Sequence, residues 1–246
     1  MASALAAGIE FEAIYVDEAH ASRDTSGELY ELAARHGVRV FSLAPGVLER
    51  VADAATPQPV LAAVRLPVTD VDAIACEGLI VALHDVRDPG NAGTLIRSAD
   101  AAGATAVIFT GHSVDPFNPK TVRASAGSLF HVPFGVQSDP ARLAAELATA
   151  GYRTLGTVVT GGPDYAALDW AVPTAVFLGN ESAGLAGDLV AALGGTLAIP
   201  MEGQAESLNV GVAAAVLCFE ALRQRRAAAG AGSGPGSAAS TISPTP

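Results

Sequence analysis

The chain has 246 residues, 50% of them hydrophobic, which suffices for a main domain with a buried core and a smaller companion. Its 25 acids against 14 bases give a net charge of -11 and a pI near 4.7, which argues against a protein that coats nucleic acid non-specifically and leaves room only for a local basic site.

In chain order, "FEAIYV" (11–16) reads as a strand, and "SGELYELAARHG" puts Leu29, Leu32, Ala33 and His36 at helical spacing before Gly37. "VRVFSL" is a strand, "PGVLERVADA" a short helix, and "PVLAAVRLP" a strand closed by Pro67. Together, residues 1–66 make a small α/β unit. "VTDVDAIACEG" is polar and weakly patterned, so 67–78 is read as a linker. From Leu79 the rhythm becomes βαβα, with strands expected at "LIVALHD", "AVIFTG", "VPFGV", "RTLGTVV", "AVFLG" and "TLAIPM". Helices are expected at 91–102, 119–128, 139–150, 184–193 and 208–226. Short apolar strands without strict alternation predict a mostly parallel sheet covered by helices on both faces, over residues 79–228. The last helix is apolar around most of its circumference (Val210, Val212, Val216, Leu217, Phe219), as if buried by core or by a second subunit. Residues 229–246, rich in Gly, Ser, Ala and Pro, have little to bury and read as a disordered tail.

Other features narrow the class. Cys76 and Cys218 lie far apart in different kinds of segment, which predicts reduced thiols in a cytosolic chain. The 5 histidines have no HxxH or CxxC company, so no metal is expected. The N-terminus lacks the pattern of a signal peptide, and "LNVGVAAAVLCF" is too short to span a membrane, so a soluble cytoplasmic protein without membrane partners is expected.

The stretch "VRDPGNAGTLIRSADAAGA" (86–104) is the most informative. Asn91 reads as an N-cap after the Pro89-Gly90 turn, and Leu95, Ile96, Ala99 and Ala102 form the apolar stripe. Gly93 and Arg97 share a face one turn apart. Glycine in a helix costs about 1 kcal/mol against alanine, so close approach of a ligand or another backbone is expected to offset it. A G-x-G-x-x-G spacing is missing, as is the Lys-Ser/Thr pair of a P-loop, so both phosphate-loop readings fail, and with the first a dinucleotide dehydrogenase. An ordinary capped helix with Arg97 paired to Asp100 stays open on this segment alone. Two more polar clusters follow strands: "AVFLGNESAGL" (175–185), with Glu181 between two glycines, and "LAIPMEGQAESLNVGVAAAVLCFEAL" (197–222), with Ser207 and Asn209 where the helix opens. All three fall at carboxyl ends of expected parallel strands, where α/β sheets bind ligands.

Together these segments resemble the signature set of the SPOUT superfamily, specifically its SpoU/TrmH branch of RNA ribose 2'-O-methyltransferases. Asn91, Gly93 and Arg97 match the first motif, Gly179, Asn180 and Glu181 the second, and Ile199, Met201, Ser207, Leu208 and Asn209 the third. "FNPKTVRASAGSLFHVPF" is also similar to the family, and the match runs in order over roughly 79–222. The resemblance implies a SPOUT-type α/β fold with a deep trefoil knot, S-adenosylmethionine as cofactor, and a homodimer with the site near its interface. It implies a catalytic set of Arg97, Asn91, Glu181, Ser207 and Asn209, with Arg97 in the role of general base. Guanidinium chemistry instead favours Arg97 binding phosphate and stabilising charge on the 2'-oxygen, with Asn91, Ser207 and Asn209 orienting it and the ribose and Glu181 anchoring Asn91 or the loops. Leu178, Gly179, Ile199, Met201 and Leu208 are implied to hold the cofactor, and Arg87, Lys120 and Arg123, with the Arg223/Arg225/Arg226 cluster, to provide basic ground for RNA. Plain N-capping by Ser207 and a helix-dipole role for Glu181 are the structural alternatives.

Residues 9–66 resemble the later part of the family's ribosomal-protein-like RNA-binding companion, whose first strand and most of whose first helix are missing here; "ASALAAG" resembles that helix's tail. The implied substrate is 23S ribosomal RNA first and transfer RNA second. A non-catalytic RNA-binding relative is the competing reading, disfavoured by the intact motif residues.

Overall fold

The computed structural model describes residues 4–5, 7–17, 23–51, 58–65, 74 and 76–232. In the N-terminal unit, β1 (Phe11–Val16) is the middle strand, parallel to β2 (Val40–Ser42) and antiparallel to β3 (Val60–Val64). Ile14 and Val16 point to one face and bury against Leu29 and Ala33 of α1 (Arg23–Arg35); the alternation along β1 and the four-residue spacing along α1 meet at this small core. A short α2 (Leu48–Val51) follows β2. Of the expected linker, residues 67–73 and 75 lie outside the described set. Its end is tied down, because Thr105 Oγ1 donates to the Glu77 carbonyl (2.6 Å) and the Glu77 N–H donates to the Tyr152 hydroxyl (3.1 Å).

The larger unit is built on six strands in the order β6-β5-β4-β8-β7-β9, every ladder parallel. These are β4 (Leu79–His84), β5 (Ala106–Thr110), β6 (Phe134–Gln137), β7 (Arg153–Thr157), β8 (Thr174–Leu178) and β9 (Gly195–Leu197). Between them come α3 (Pro89–Ala101), α4 (Pro119–Ala124), α5 (Pro140–Thr149) and α6 (Gly187–Ala192), and α7 (Val210–Gly232) follows β9. Leu79, Val81 and Leu83 of β4 pack with α3 and α7, while Ile80 and Ala82 pack with α5 and α6. A strand buried on both faces has no polar side, so its sequence is a continuous apolar run. The chain steps outward from β4 to β6, then returns across the sheet to β7 and inserts β8 between β7 and β4. The carboxyl ends of β4 and β8 thereby lie side by side, a reversal point of the kind at which α/β sheets bind ligands.

Several boundaries differ from the sequence reading. The N-cap of α3 is Asp88, not Asn91: its carboxylate accepts the Asn91 N–H at 2.7 Å, and Pro89, having no N–H to satisfy, fills the first turn. Helix α4 stops at Ala124, short of the expected 128, because Ala126 and Gly127 turn left-handed (φ +51° and +97°) before a 3-10 turn at Ser128–Phe130. Helix α7 starts at Val210, capped by Asn209 rather than Ser207, and runs to Gly232, into the segment read as tail from 229. The alanines at 227–229 favour helix despite the glycines beside them. Residues 233–246 lie outside the described set.

The connection between β7 and β8 is fastened to α7. Trp170 is fully buried, its indole N–H donating to the Tyr165 carbonyl (2.8 Å), while Gln224 accepts the Trp170 N–H (3.0 Å) and donates to the Leu168 carbonyl (3.0 Å). Among the described residues, no helix is long and apolar enough to cross a membrane, and no three His, Cys, Asp or Glu side chains are grouped to hold a metal ion.

Candidate active site

Three loops meet beyond the carboxyl ends of β4 and β8. Since Asp88 caps α3, the Asn91 carboxamide is free for other partners. Its Nδ2 donates to Glu181 Oε1 at 2.6 Å, and its Oδ1 accepts from Asn209 Nδ2 at 2.9 Å. The Oδ1 of Asn209 accepts the N–H groups of Gly211 (2.9 Å) and Val212 (3.3 Å) at the start of α7. The polarity of this chain is forced at both ends: a carboxylate only accepts and helix N–H groups only donate, so each amide has one usable orientation. Glu181 therefore acts as an anchor for Asn91. It sits in a tight turn after β8, not at a helix start, so the dipole alternative falls away.

That turn is shaped by Asn180 and two glycines. Asn180 Oδ1 accepts the N–H groups of Ser182 (2.9 Å) and Ala183 (3.2 Å), and its Nδ2 donates across to the Asp85 carbonyl (3.0 Å). Asp85 itself holds a left-handed φ of +56°, rare for a non-glycine residue, with its carboxylate accepting the His112 N–H at 2.6 Å. Gly184 turns with φ +66°, and a Cβ on Gly179 would lie 2.6 Å from the Leu185 nitrogen, so both positions require glycine.

A cavity of about 510 Å³ opens between the β7, β8 and β9 loops and the start of α7. Leu178, Gly179, Ile199, Met201 and Leu208 all line it, together with Glu181 and Ser207. Sequence reasoning missed Thr157–Thr160 and Glu206, which also line it; the run after β7 carries no motif, though its place at a strand's carboxyl end is a signal. Asn91 and Asn209 stand behind the Glu181 turn rather than on the cavity wall.

Arg97 lies on α3, six residues past Asn91 and so about 9 Å farther along the axis. It is exposed, and among the described residues its side chain has no hydrogen bond or ion pair. Asp100 pairs with His131 instead (3.3 Å), which removes the Arg97–Asp100 alternative. Asn91 and Asn209 bond to each other and not to Arg97, so the expected orienting contacts are absent among the described residues. Gly93 is explained by packing: a Cβ there would lie 2.7 Å from the Ala124 carbonyl carbon and 2.8 Å from the Ser125 nitrogen. The glycine brings α4 against α3, and Lys120 and Arg123 stand exposed on α4, with Arg87 exposed in the loop before α3.

Of the α7 arginines, Arg223 and Arg225 are engaged within their own helix, while Arg226 is exposed. Arg223 is engaged by Glu220 at 2.7 Å, and that carboxyl is held below its usual range by the pairing. Arg225 is half-buried, donating to the Ala221 carbonyl, and burial lowers its affinity for a proton. The buried Cys218 thiol is pushed up to about 12 by burial, which makes it inert.

Comparison with known proteins accords with this geometry. Residues 78–219 match the SpoU rRNA Methylase family, and residues 2–68 match the RNA 2'-O ribose methyltransferase substrate binding domain. The chain is 36% identical over 183 residues to the 23S rRNA (guanosine(2553)-2'-O)-methyltransferase RlmP of Bacillus subtilis, covering 74% of this chain and 72% of that one. It is 36% identical over 211 residues to the 23S rRNA (uridine(2479)-2'-O)-methyltransferase of Streptomyces viridochromogenes, covering 82% and 74%. The crystal structure of the SpoU methyltransferase AviRb from Streptomyces viridochromogenes with AdoMet superimposes with a TM-score of 0.81 at 32% identity, over 92% of this chain and 87% of that one. With its three motif loops meeting at the β4/β8 reversal and the family match spanning most of its length, this chain belongs to the SpoU rRNA methylase family.

Proposed function

We propose that this protein transfers a methyl group from S-adenosylmethionine to a ribose 2'-hydroxyl of 23S ribosomal RNA. The observation that carries this is the cavity beyond β7, β8 and β9, joined to α3 through the Glu181–Asn91–Asn209 chain. The residues fit the cofactor: about 510 Å³ lies within the range of small-molecule sites, with apolar edges from Leu178, Ile199, Met201 and Leu208 beside backbone polar groups. The cofactor supplies an electrophilic methyl on a sulfonium.

The chain's own residues supply position and charge. Arg97 binds a phosphate and stabilises negative charge developing on the 2'-oxygen with its guanidinium. Asn91, Glu181 and Asn209 fix α3 against the cavity wall, so they hold the two reactants in register. Ser207, exposed on the cavity rim, contacts the ribose. Arg87, Lys120 and Arg123 bind phosphates on an otherwise acidic body.

Residues 1–66 act as the RNA-binding companion of a catalytic domain over 79–228. The match of that unit to a substrate-binding domain and the two 23S-modifying relatives support ribosomal over transfer RNA, and with it a cytoplasmic location. The exposed apolar face of α7, with Val212 and Phe219 48% and 49% exposed, is the dimer surface, and the inserted β8 is consistent with the family's knot. Incubation with tritiated cofactor and separate ribosomal and transfer RNA fractions from a strain lacking the gene tests the reading. Label in 23S RNA at a ribose is expected; label in neither RNA overturns it.

A further inference from the structure

The cavity's charge is one-sided. Of its lining residues only Glu181 and Glu206 are acidic, and no lysine, arginine or histidine is among them. The hydrogen-bond partner of the Glu181 carboxylate, Asn91 at 2.6 Å, is a neutral amide and brings no positive charge to the cavity. Among the described residues Glu206 forms no ion pair. It stands next to Ser207, on the loop that leads into α7.

Methyl transfer removes one positive charge from the donor: the sulfonium gives up its methyl and becomes a neutral thioether, while the rest of the molecule is unchanged. A pocket with two uncompensated carboxylates and no cation attracts the donor more than the spent product. We infer that Glu206 is a specificity-determining residue that makes the pocket prefer the charged donor, S-adenosylmethionine, over its neutral product, S-adenosylhomocysteine, and so favours product release. The inference rests on the reading of the cavity as the donor site.

Glu206 is exposed, so its effect is screened by water and salt and amounts to a few-fold rather than orders of magnitude. The test is titration calorimetry of both ligands on the full chain, with Glu206→Gln, Glu206→Lys and Glu202→Gln. Glu202 is also exposed and acidic but does not line the cavity, so it controls for net charge. In the wild type, raising salt is expected to weaken donor binding and leave product binding nearly unchanged. Glu206→Gln is expected to weaken donor binding about threefold with little change for product, Glu206→Lys more so, and Glu202→Gln to leave the ratio alone. If both ligands bind and the donor-to-product ratio is the same in wild type and both Glu206 variants, the inference fails while the donor-site reading stands. If neither ligand binds the wild type, both are overturned.

Discussion

Asn91 on α3 and Glu181 in the turn after β8, 90 residues apart in sequence, are joined by a hydrogen bond of 2.6 Å. This contact ties the helix that carries Arg97 to the loop that walls the cavity. Asn91→Asp would set a second carboxylate against Glu181 and remove the donor, whereas Glu181→Gln keeps an acceptor for Asn91. The expected outcome is a loss of about 1–3 kcal/mol of stability and a fall in methyl transfer for Asn91→Asp, with a smaller effect for Glu181→Gln. Thermal unfolding alongside a transfer assay reads both. Equal behaviour of the two variants would remove the anchoring role.

Arg97 is tested separately from that anchor. Because it stands outside the cavity and bonds to no described residue, Arg97→Ala is expected to abolish transfer while cofactor affinity and melting temperature stay near wild type. Arg97→Lys keeps the charge but loses the planar fork, so partial activity is expected. Wild-type turnover in Arg97→Ala would refute the assignment.

Gly93→Ala pits local propensity against packing. Helix propensity alone favours alanine by about 1 kcal/mol. The added Cβ, however, would lie 2.7–2.8 Å from backbone atoms of Ala124 and Ser125, which cannot rotate away as a flexible side chain would. Overpacking of this kind costs about 1–3 kcal/mol, so a net destabilisation is expected in denaturant melts. A rise in stability would show that α4 shifts freely.

This glycine marks where sequence reasoning stops. The βα rhythm was legible because strands buried on both faces are continuous apolar runs, and the three polar clusters were legible because they follow such runs. For Gly93 the sequence predicts close approach of a ligand or another backbone, and the fold supplies the partner, the α4 backbone at Ala124 and Ser125, which lies on another helix and carries no local signal. The cap of α3 was misplaced for a different reason: Asp88 and Asn91 are both good capping residues around one Pro-Gly turn, and only the fold shows that Asp88 caps while Asn91 reaches Glu181. The early end of α4 depends on a left-handed Ala126, a conformation that alanine gives no sign of adopting.

The two cysteines give a chemical check on burial. Cys218 is buried on α7 with its thiol pushed up to about 12, while Cys76 is exposed. Near pH 8 the native protein is expected to react with a disulfide reagent at Cys76 alone, and at both thiols once unfolded. Prompt labelling of Cys218 in the native state would mean that α7 is not packed as described.

The outer face of α7 supplies the last prediction. Val212 and Phe219 stand one heptad apart, both about half exposed, on a helix whose opposite side is buried with Ala214, Leu217 and Ala221, mainly against α3. Apolar side chains held in water on the same helix face are stabilised when a second surface covers them. Covering by a second copy predicts that the wild type sediments as a dimer. Phe219→Glu places a charge in that contact and is expected to give monomers with an unchanged far-ultraviolet spectrum, since the substituted side chain is already half in water. Sedimentation velocity at several concentrations distinguishes the outcomes: a wild-type monomer at all of them, or a Phe219→Glu dimer as stable as wild type, would show that this face is not the one by which copies associate.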